Sequence, residues 1–463
     1  MTQPLWTSDE AAAATGGSTA GDWSAHSVSI DSRTITPGGL YVAIAGERVD
    51  GHDYAEQAID KGAAAVMVSQ AVPGVAAEKQ LLVDDTFKAL EALAIAARAR
   101  SQATIIGLTG SVGKTTTKEC LRLMCEGFGR TYASRGNYNN HYGTPLSLAN
   151  MPADSEFGVF EMGMNHAGEI AKLTRMVRPH IAIITNVEAV HLEFFDSVEA
   201  IAEAKAEIFE GLERSGTAIL NADNEHTNQI IEQLSSRADV KQLTFGQQQS
   251  ADIKLEALEY EQEGCTLSTH SKNIPVEVSL TGSGQAVISA VLISLTACTA
   301  LGLDLVTAAN SLAGFKEVEG RGQLSEVTLD GRHMWWIDDS YNASPASMRA
   351  AFEKLAMAKE QKQATRSVAV LGDMLELGEQ APKLHASLAV DIAMYGLDAV
   401  WTIGPLMQHL YRALPEDIDK THIDGLDEML AWLKDRLQAG DVVLFKGSNG
   451  SQIHQLVKDL LTP

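Results

Sequence analysis

TIIGLTGSVGKTTTKECLRLM, residues 104–124, changes character twice along its length. TIIGLT is a run of apolar and β-branched residues and reads as a buried strand. GSVG reads as a turn, and KTTTKECLRLM follows as a helix. Glycines at 110 and 113 free the backbone N–H groups to wrap a phosphate, and the dipole of the helix beyond favours negative charge. Lys114 can reach the outer phosphates and the Thr115 hydroxyl can ligate Mg²⁺. The general G-x-x-x-x-G-K-[ST] spacing is not kept, because Leu108 stands five positions before Gly113. A shorter TGxxGKTT loop is present instead, with Gly110, Ser111, Val112, Gly113, Lys114, Thr115 and Thr116 as candidate nucleotide contacts. The plain alternative is a glycine turn before a helix. Gly-Lys-Thr-Thr directly after an apolar strand speaks against it, and the chain is expected to bind a nucleoside triphosphate.

Working outward, FGVFEMG (157–163), HIAIITNV (180–187) and GTAILNAD (216–223) are further short apolar runs separated by helical patterns. That alternation is the signature of a mostly parallel sheet with helical crossovers. Residues 1–85 read as a small α/β unit, with strands in SVSIDSRT, GLYVAIAG and AAAVMVS. The helix FKALEALAIAARAR leads into a central unit, residues 86–314. A third unit, 315–463, offers strands in MWWIDDS, SVAVLGDM, AVWTIG and DVVLFKGS. The expected fold class is therefore α/β in three domains, with a P-loop-type, mostly parallel central sheet and a C-terminal Rossmann-like sheet. Open sheets of this kind carry their chemistry at the carboxyl ends of the strands.

Bulk properties narrow the function. A 463-residue chain, at roughly 150 residues per domain, is long enough for about three domains. An apolar fraction of 45% provides ample core. The formal net charge of −24 argues against non-specific binding to nucleic acid or an anionic membrane. It leaves room for a polyanionic small substrate, which needs only a local cluster of donors. Cys120, Cys125, Cys265 and Cys298 show no CxxC pair or histidine partner spacing, so buried free thiols in a reducing compartment are expected. The start MTQPLWTSDE has no secretory pattern. AVISAVLISLTACTALGL (286–303) is uncharged and long enough to consider as a membrane span, but its Ser and Thr content and its α/β setting favour a buried helix. These features point to a cytoplasmic protein.

Three more groups fall at the strand ends. Glu161 closes GVFEMG, and a carboxylate ending an apolar strand is costly unless something binds it. Asn186 closes IAIITNV, and His191 follows in the connection. Glu161 and His191 could bind a divalent ion near the phosphates, directly or through water. A lone loop histidine is more often a surface residue; its place at the same sheet edge as Glu161 favours the ligand. IAEAKAEIFEGL (201–212) reads as one helix, and at ~100° per residue Lys205 lies on the apolar face of Ile201, Ile208 and Leu212. A buried lysine has a depressed pKa, and its neutral amine can add CO₂ to form an anionic carbamate. Alternatively the side chain snorkels its charge out of the face. Spacing alone leaves both open.

TGSVGKTTTKE, EMGMNHAGEI, TNVEAVHLEFF, AEAKAEIFEGL, DDSYNASP and LGDMLELG occur in the order seen in the Mur ligase family of peptidoglycan synthesis, which the chain resembles over nearly its whole length. Within that family the motifs are most similar to the member that adds D-alanyl-D-alanine to UDP-N-acetylmuramoyl-tripeptide. GNYNNHYGTPLSL and DSRTITPGGLYVAIAG extend the likeness. The resemblance implies a UDP-sugar domain, a central ATPase domain and a C-terminal domain that closes over ATP. It implies carbamylation of Lys205, metal-site roles for Thr115, Glu161 and His191 around Mg²⁺, and nucleotide contacts from Arg321, Asp339 and Asn342. It also implies substrate contacts from Ser32 and Arg33 in the DSR motif and from Asn137, Asn139 and Asn140. One segment departs from the family pattern GxHNxxN. In LTGSGQAVISA (280–290), Gly284, Gln285 and Ile288 replace the histidine and the two asparagines, so no adenine contact is carried over there.

The implied reaction is amide-bond formation driven by ATP. Carboxylate and triphosphate are both anions, and Lys114 with Mg²⁺ can offset their repulsion. A sister ligase adding a single amino acid is the nearest alternative, although DNPR, expected in the third-residue enzyme, is absent. A P-loop switch without ligase chemistry would need an NKxD element or a clear Walker-B aspartate, and neither stands out. A non-catalytic scaffold would not need intact Lys114, Thr115, Glu161 and His191. Nothing in the sequence demands more than a monomer.

Overall fold

The computed structural model describes residues 3–46, 49–261, 264–271, 274–280 and 284–461. Residues 281–283, part of the segment that departs from the family pattern, lie outside the described residues. Among the described residues, three α/β sheets follow one another along the chain. The first has five strands in the order Ser18–Thr19, Gln80–Leu82, Ala65–Val68, Leu40–Val42 and Val28–Ser29, parallel except for the first pair.

The central sheet has nine strands. Its parallel part runs Lys241–Gly246, Thr217–Asn221, Ile181–Ile184, Thr104–Thr109, Phe157–Glu161 and Thr131–Ala133. An antiparallel extension, Ile253–Glu261, Gly264–Ser271 and Ile274–Leu280, continues it on one side. Strand residues alternate between two cores. Ile106, Leu108 and Ile183 face one layer of helices, and Ile105, Ala182 and Ile184 face the other. Burial on both faces explains the nearly unbroken apolar runs, since a half-solvated sheet would alternate with polar residues. The uncharged run becomes the helix Gln285–Leu301, which ends at Gly302 in the left-handed region and packs against the phosphate-loop helix Lys114–Glu126. Among the described residues, no helix is long and apolar enough to cross a membrane. All four cysteines are buried.

The third sheet runs Gln323–Leu329, Arg332–Asp339, Asp441–Lys446, Arg366–Gly372, Ala399–Ile403 and Asp419–Ile423, with only the first pair antiparallel. Here too Ile337, Leu371 and Leu444 face one core while Trp336, Val370 and Phe445 face the other.

The reading of 201–212 as a single helix is corrected. An α-helix spans Val198–Ala206, and a 3₁₀ stretch, Glu207–Gly211, follows. The tightening has a visible cause. Gly211 passes so close to the neighbouring helix Glu169–Val177 that a Cβ on it would lie 2.1 Å from the Thr174 carbonyl oxygen. Thr174 also donates to the Ile208 carbonyl at 2.7 Å. The Glu207 carboxylate accepts from the N–H groups of Gly168 and Ala171 at the start of that helix. The face survives the change of geometry, and Ile201, Lys205, Ile208 and Leu212 are all buried.

Candidate active site

The phosphate loop is shaped by its two glycines and by the strand beside it. Gly110 has φ +155°, and a Cβ there would lie 1.9 Å from Thr185 Oγ1. Gly113 has φ +81° and starts the helix Lys114–Glu126 with no side chain capping it. The first-turn N–H groups are therefore available to an anion. The end of the strand Ile181–Ile184 stitches the loop in place. Thr185 Oγ1 donates to the Val112 carbonyl at 2.6 Å, and the Ser111 N–H donates to the Asn186 carbonyl at 2.9 Å. Thr116 is buried. Lys114 Nζ donates back to the Gly110 carbonyl at 2.6 Å, which holds it curled over the loop.

Glu161 ends the strand beside Thr104–Thr109, in register with Leu108, and is 1% exposed. A carboxylate so buried must be paired. Its Oε2 accepts from Thr115 Oγ1 at 3.0 Å, and its Oε1 accepts from Asn139 Nδ2 at 2.8 Å. Lys118 Nζ lies 3.8 Å from Oε2 and donates to the Gly136 carbonyl at 2.6 Å. Lys118 was missed by the sequence reading, although it lies four residues after Lys114 and so on the same helix face. Arg321 reaches the cluster from the third domain. It lies between Gly320 and Gly322, both at positive φ, with its guanidinium 3.8 Å over the Tyr341 ring. Its Nη2 stands 3.5 Å from Thr115 Oγ1.

Lys205 is 2% exposed and has no hydrogen-bond or ion-pair partner among the described residues. Burial, and secondarily the Lys114 charge, hold its amine well below the usual lysine range. Burial also lowers Lys114, opposed by Glu161 and reinforced by Arg321. Burial lowers Lys118, opposed by Glu161 and Glu119. The pocket thus gathers Lys114, Lys118 and Arg321 around one buried carboxylate, Glu161. Such a site is made for anions.

The other candidates are distributed differently. His191 Nδ1 is 2.5 Å from Glu376 Oε2, a residue of the third domain, and the contact holds the Glu376 carboxyl below its usual range. Asp339 pairs with Lys446 at 2.5 Å, and Lys446 also donates to the Asn342 carbonyl. Asn342 Oδ1 accepts from the Ala343 N–H. Of the three third-domain candidates, only Arg321 reaches the phosphate loop.

A divalent cation fits the donors at Thr115 and Glu161. Among the described residues no three His, Cys, Asp or Glu side chains gather to hold a metal unaided. Mg²⁺ rarely needs such a cage, because it takes one or two protein oxygens and completes its shell with phosphates and water.

Two cavities flank this centre. One, of about 490 Å³, is lined by Asn186, Asn221, Asn224, Phe245, Gln285 and Ile288 among others. It joins the phosphate loop through Asn186, so the departing segment does line a cavity beside the loop. The second, of about 360 Å³, lies between Ser27, Ser29, Thr34 and Thr36 of the first domain and Arg135, Gly136, Asn137 and Tyr138 of the central one. Ser32 and Arg33 do not line it. Ser32 donates to Gln57 at 2.7 Å, and Arg33 pairs with Asp31. Asn137 faces this cavity. Asn140 accepts from the N–H groups of Tyr142 and Gly143, which makes it a turn cap.

Known proteins resemble this chain over nearly its whole length. Residues 24–100 match the Mur ligase family catalytic domain, 108–298 the Mur ligase middle domain, and 320–449 the Mur ligase glutamate ligase domain. The chain is 35% identical to the UDP-N-acetylmuramoyl-tripeptide–D-alanyl-D-alanine ligase of Rickettsia prowazekii, covering 98% of this chain and 99% of that one. The enzymes of the same name from Bacillus subtilis and Escherichia coli are each 33% identical, over 94% of this chain and 93% of theirs. A crystal structure of MurF from Acinetobacter baumannii superposes with a TM-score of 0.84 at 28% identity, covering 100% of this chain and 99% of that one. MurF from Thermotoga maritima, solved in complex with ADP, gives 0.77 at 28% identity, covering 94% and 96%.

Proposed function

The chain belongs to the Mur ligase family, and within it we infer an ATP-dependent ligase that joins D-alanyl-D-alanine to UDP-N-acetylmuramoyl-tripeptide in peptidoglycan precursor synthesis. One observation carries the chemistry. A phosphate loop, a buried carboxylate and a third-domain arginine converge at Thr115.

The terminal carboxylate of the tripeptide attacks the γ-phosphorus of ATP, forming a C–O–P acyl phosphate and releasing ADP. The amine of D-alanyl-D-alanine then attacks the activated carbonyl. The new C–N bond forms, inorganic phosphate leaves, and the ammonium proton is lost. Both partners of the first step are anions, so the barrier is largely electrostatic. Gly110, Ser111, Val112, Gly113 and Thr116 shape the loop and helix start that receive the phosphates, and Lys114 reaches the outer ones. Thr115 and Glu161, with His191 and the Lys205 carbamate, would hold Mg²⁺, which when bound would supply charge neutralisation at the phosphoryl oxygens. Arg321 brings a third-domain charge to the loop, so that docking of that domain completes the site and excludes water. Asp339 and Asn342, tied together through Lys446, support the third-domain face of the nucleotide site.

Lys205 is proposed to be carbamylated. Its neutral nitrogen adds to the carbon of CO₂ and releases a proton, giving an anion beside Lys114. What supports this is a buried amine, with no side-chain partner among the described residues, on which the Lys114 charge acts.

Residues 86–314 are assigned as the ATP-binding domain, 315–463 as the closing domain and 1–85 as the UDP-sugar domain. The cavity at Asn186 and Gln285 is assigned to the adenosine moiety, and the cavity at Ser27 and Arg135 to the sugar-peptide substrate. Ser32 and Arg33, which precede the lining residue Thr34 without lining the cavity themselves, are assigned to the same substrate. Asn137, Asn139 and Asn140 form the loop at its peptide end. The working unit is taken as a monomer in the cytoplasm, where the precursor is made.

The test is phosphate release from ATP and Mg²⁺ with UDP-N-acetylmuramoyl-tripeptide, with and without D-alanyl-D-alanine. Sustained release with both, and a product heavier by one dipeptide, is the expected result. Release with a single amino acid in its place would make this a sister ligase. Release with neither acceptor would make it an ATPase of another kind.

A further inference from the structure

His191 and Glu376 meet across two domains, and the contact is built from more than one side. His191 lies in the connection after Ile181–Ile184, and Glu376 in the connection after Arg366–Gly372. Their side chains approach to 2.5 Å between Nδ1 and Oε2. The Glu193 N–H donates to the Glu376 carbonyl at 3.2 Å. Gly378 packs beside the same segment, where a Cβ would lie 3.4 Å from Glu193 Cα. Both residues hold positive φ, 57° at His191 and 62° at Glu376. Side chains with a Cβ adopt that conformation rarely, and such outliers persist where the surroundings over-determine them.

An ionised carboxylate can only accept, so Nδ1 of His191 must carry the proton. In the neutral ring the lone pair is then on Nε2, which has no hydrogen-bond partner among the described residues. Carboxylates placed in this way orient a ligating imidazole, fix its tautomer and raise its basicity.

We propose that Glu376 is a positioning residue for His191, holding the Nδ1–H tautomer so that Nε2 is presented to the cation, and that the cation site is therefore complete only when the third domain is docked. The proposal rests on the reading of His191 as a cation ligand. A simple interdomain ion pair would tie the domains together without affecting the cation.

The experiment measures Mn²⁺ binding to the ADP complex of the full chain by electron paramagnetic resonance. Wild type is compared with Glu376→Ala, Glu376→Gln, His191→Ala and the double variant His191→Ala/Glu376→Ala. Glu376→Ala should weaken Mn²⁺ binding by about tenfold, as loss of an outer partner does. Glu376→Gln, whose amide oxygen still accepts from Nδ1, should recover most of that loss. In the His191→Ala background the second substitution should add nothing. Metal-free ADP affinity should not change, whereas a purely structural tie would move it. Unchanged Mn²⁺ binding in Glu376→Ala beside a weakened His191→Ala would overturn the proposal and leave the ligand reading intact. Unchanged binding in His191→Ala would remove the ligand reading itself. A Glu376→Gln variant no better than Glu376→Ala would overturn the tautomer mechanism.

Discussion

Thr115 Oγ1 lies 3.0 Å from Glu161 Oε2, so the phosphate-loop helix and the neighbouring strand end touch through a hydroxyl and a carboxylate. The parallel register that sets Glu161 opposite Leu108 makes this contact. Glu161→Gln keeps the shape and removes the charge. Ligase turnover should fall by about 10²–10³-fold, the range for loss of one preorganised electrostatic group. The dependence on Mg²⁺ concentration should shift upward with it. Steady-state phosphate release over a Mg²⁺ series checks both, and near-normal turnover would take Glu161 out of the cation site.

Gly110 and Gly113 both have positive φ but differ in the space around them. A Cβ at 110 would fall 1.9 Å from Thr185 Oγ1, whereas one at 113 meets nothing within 4 Å. Gly110→Ala must displace Thr185 and break its bond to Val112, at a cost of roughly 1–3 kcal/mol. Gly113→Ala carries backbone strain alone, about 1–2 kcal/mol. Thermal unfolding without nucleotide should rank Gly110→Ala as the less stable variant. The reverse order would mean that the steric reading of this turn is wrong.

The chemistry-bearing half of the fold is the half that the sequence made legible. Short apolar strands followed by glycine turns announce a parallel sheet, and Lys114, Thr115 and Glu161 stand at its strand ends. The antiparallel strands Ile253–Glu261, Gly264–Ser271 and Ile274–Leu280 were not anticipated, because residues such as Glu256, Glu259 and Glu277 break an apolar run. Lys118 could have been found from its i, i+4 spacing to Lys114. Glu376 could not, since its partner lies 185 residues away and depends on how two domains meet. The split fates of Asn137, Asn139 and Asn140 were equally hidden. A polar turn shows that its side chains need partners, but not which of them faces a cavity, a carboxylate or its own backbone.

Asp398 provides a test of the third domain by pH. Burial alone would push its carboxyl up. Hydrogen bonds from Lys359 at 2.6 Å and from the Ser367 N–H and hydroxyl at 2.7 Å outweigh that effect and leave it below the usual carboxylate range. A depressed folded-state pKa contributes stability above the unfolded value of about 3.9, and that stability is lost as pH falls through the folded value. Asp398→Asn should therefore lower the unfolding temperature at pH 7. The gap from wild type should close as pH falls below about 4. A gap that stayed constant with pH would mean that the ionised carboxylate is not what stabilises this corner.

Lys205 separates stability from activity most sharply. Its amine is buried, has no side-chain partner among the described residues and feels the Lys114 charge, so both burial and that charge disfavour the ammonium. For a lysine this direction means that folding is penalised wherever the unfolded side chain is charged, which includes neutral pH. Lys205→Met removes the penalty while keeping the volume. In CO₂-depleted buffer its unfolding temperature should equal or exceed that of wild type. Activity should move the opposite way. Lys205→Met and Lys205→Ala should both lose most turnover, because neither can form a carbamate. Lys205→Ala, which leaves a space, should regain a fraction with formate or acetate, and the filled Lys205→Met should not. Wild-type enzyme given ¹³C-bicarbonate should show a carbamate carbon resonance that both variants lack. Normal turnover in Lys205→Ala without added carboxylate would show instead that the apolar face merely tolerates a neutral amine.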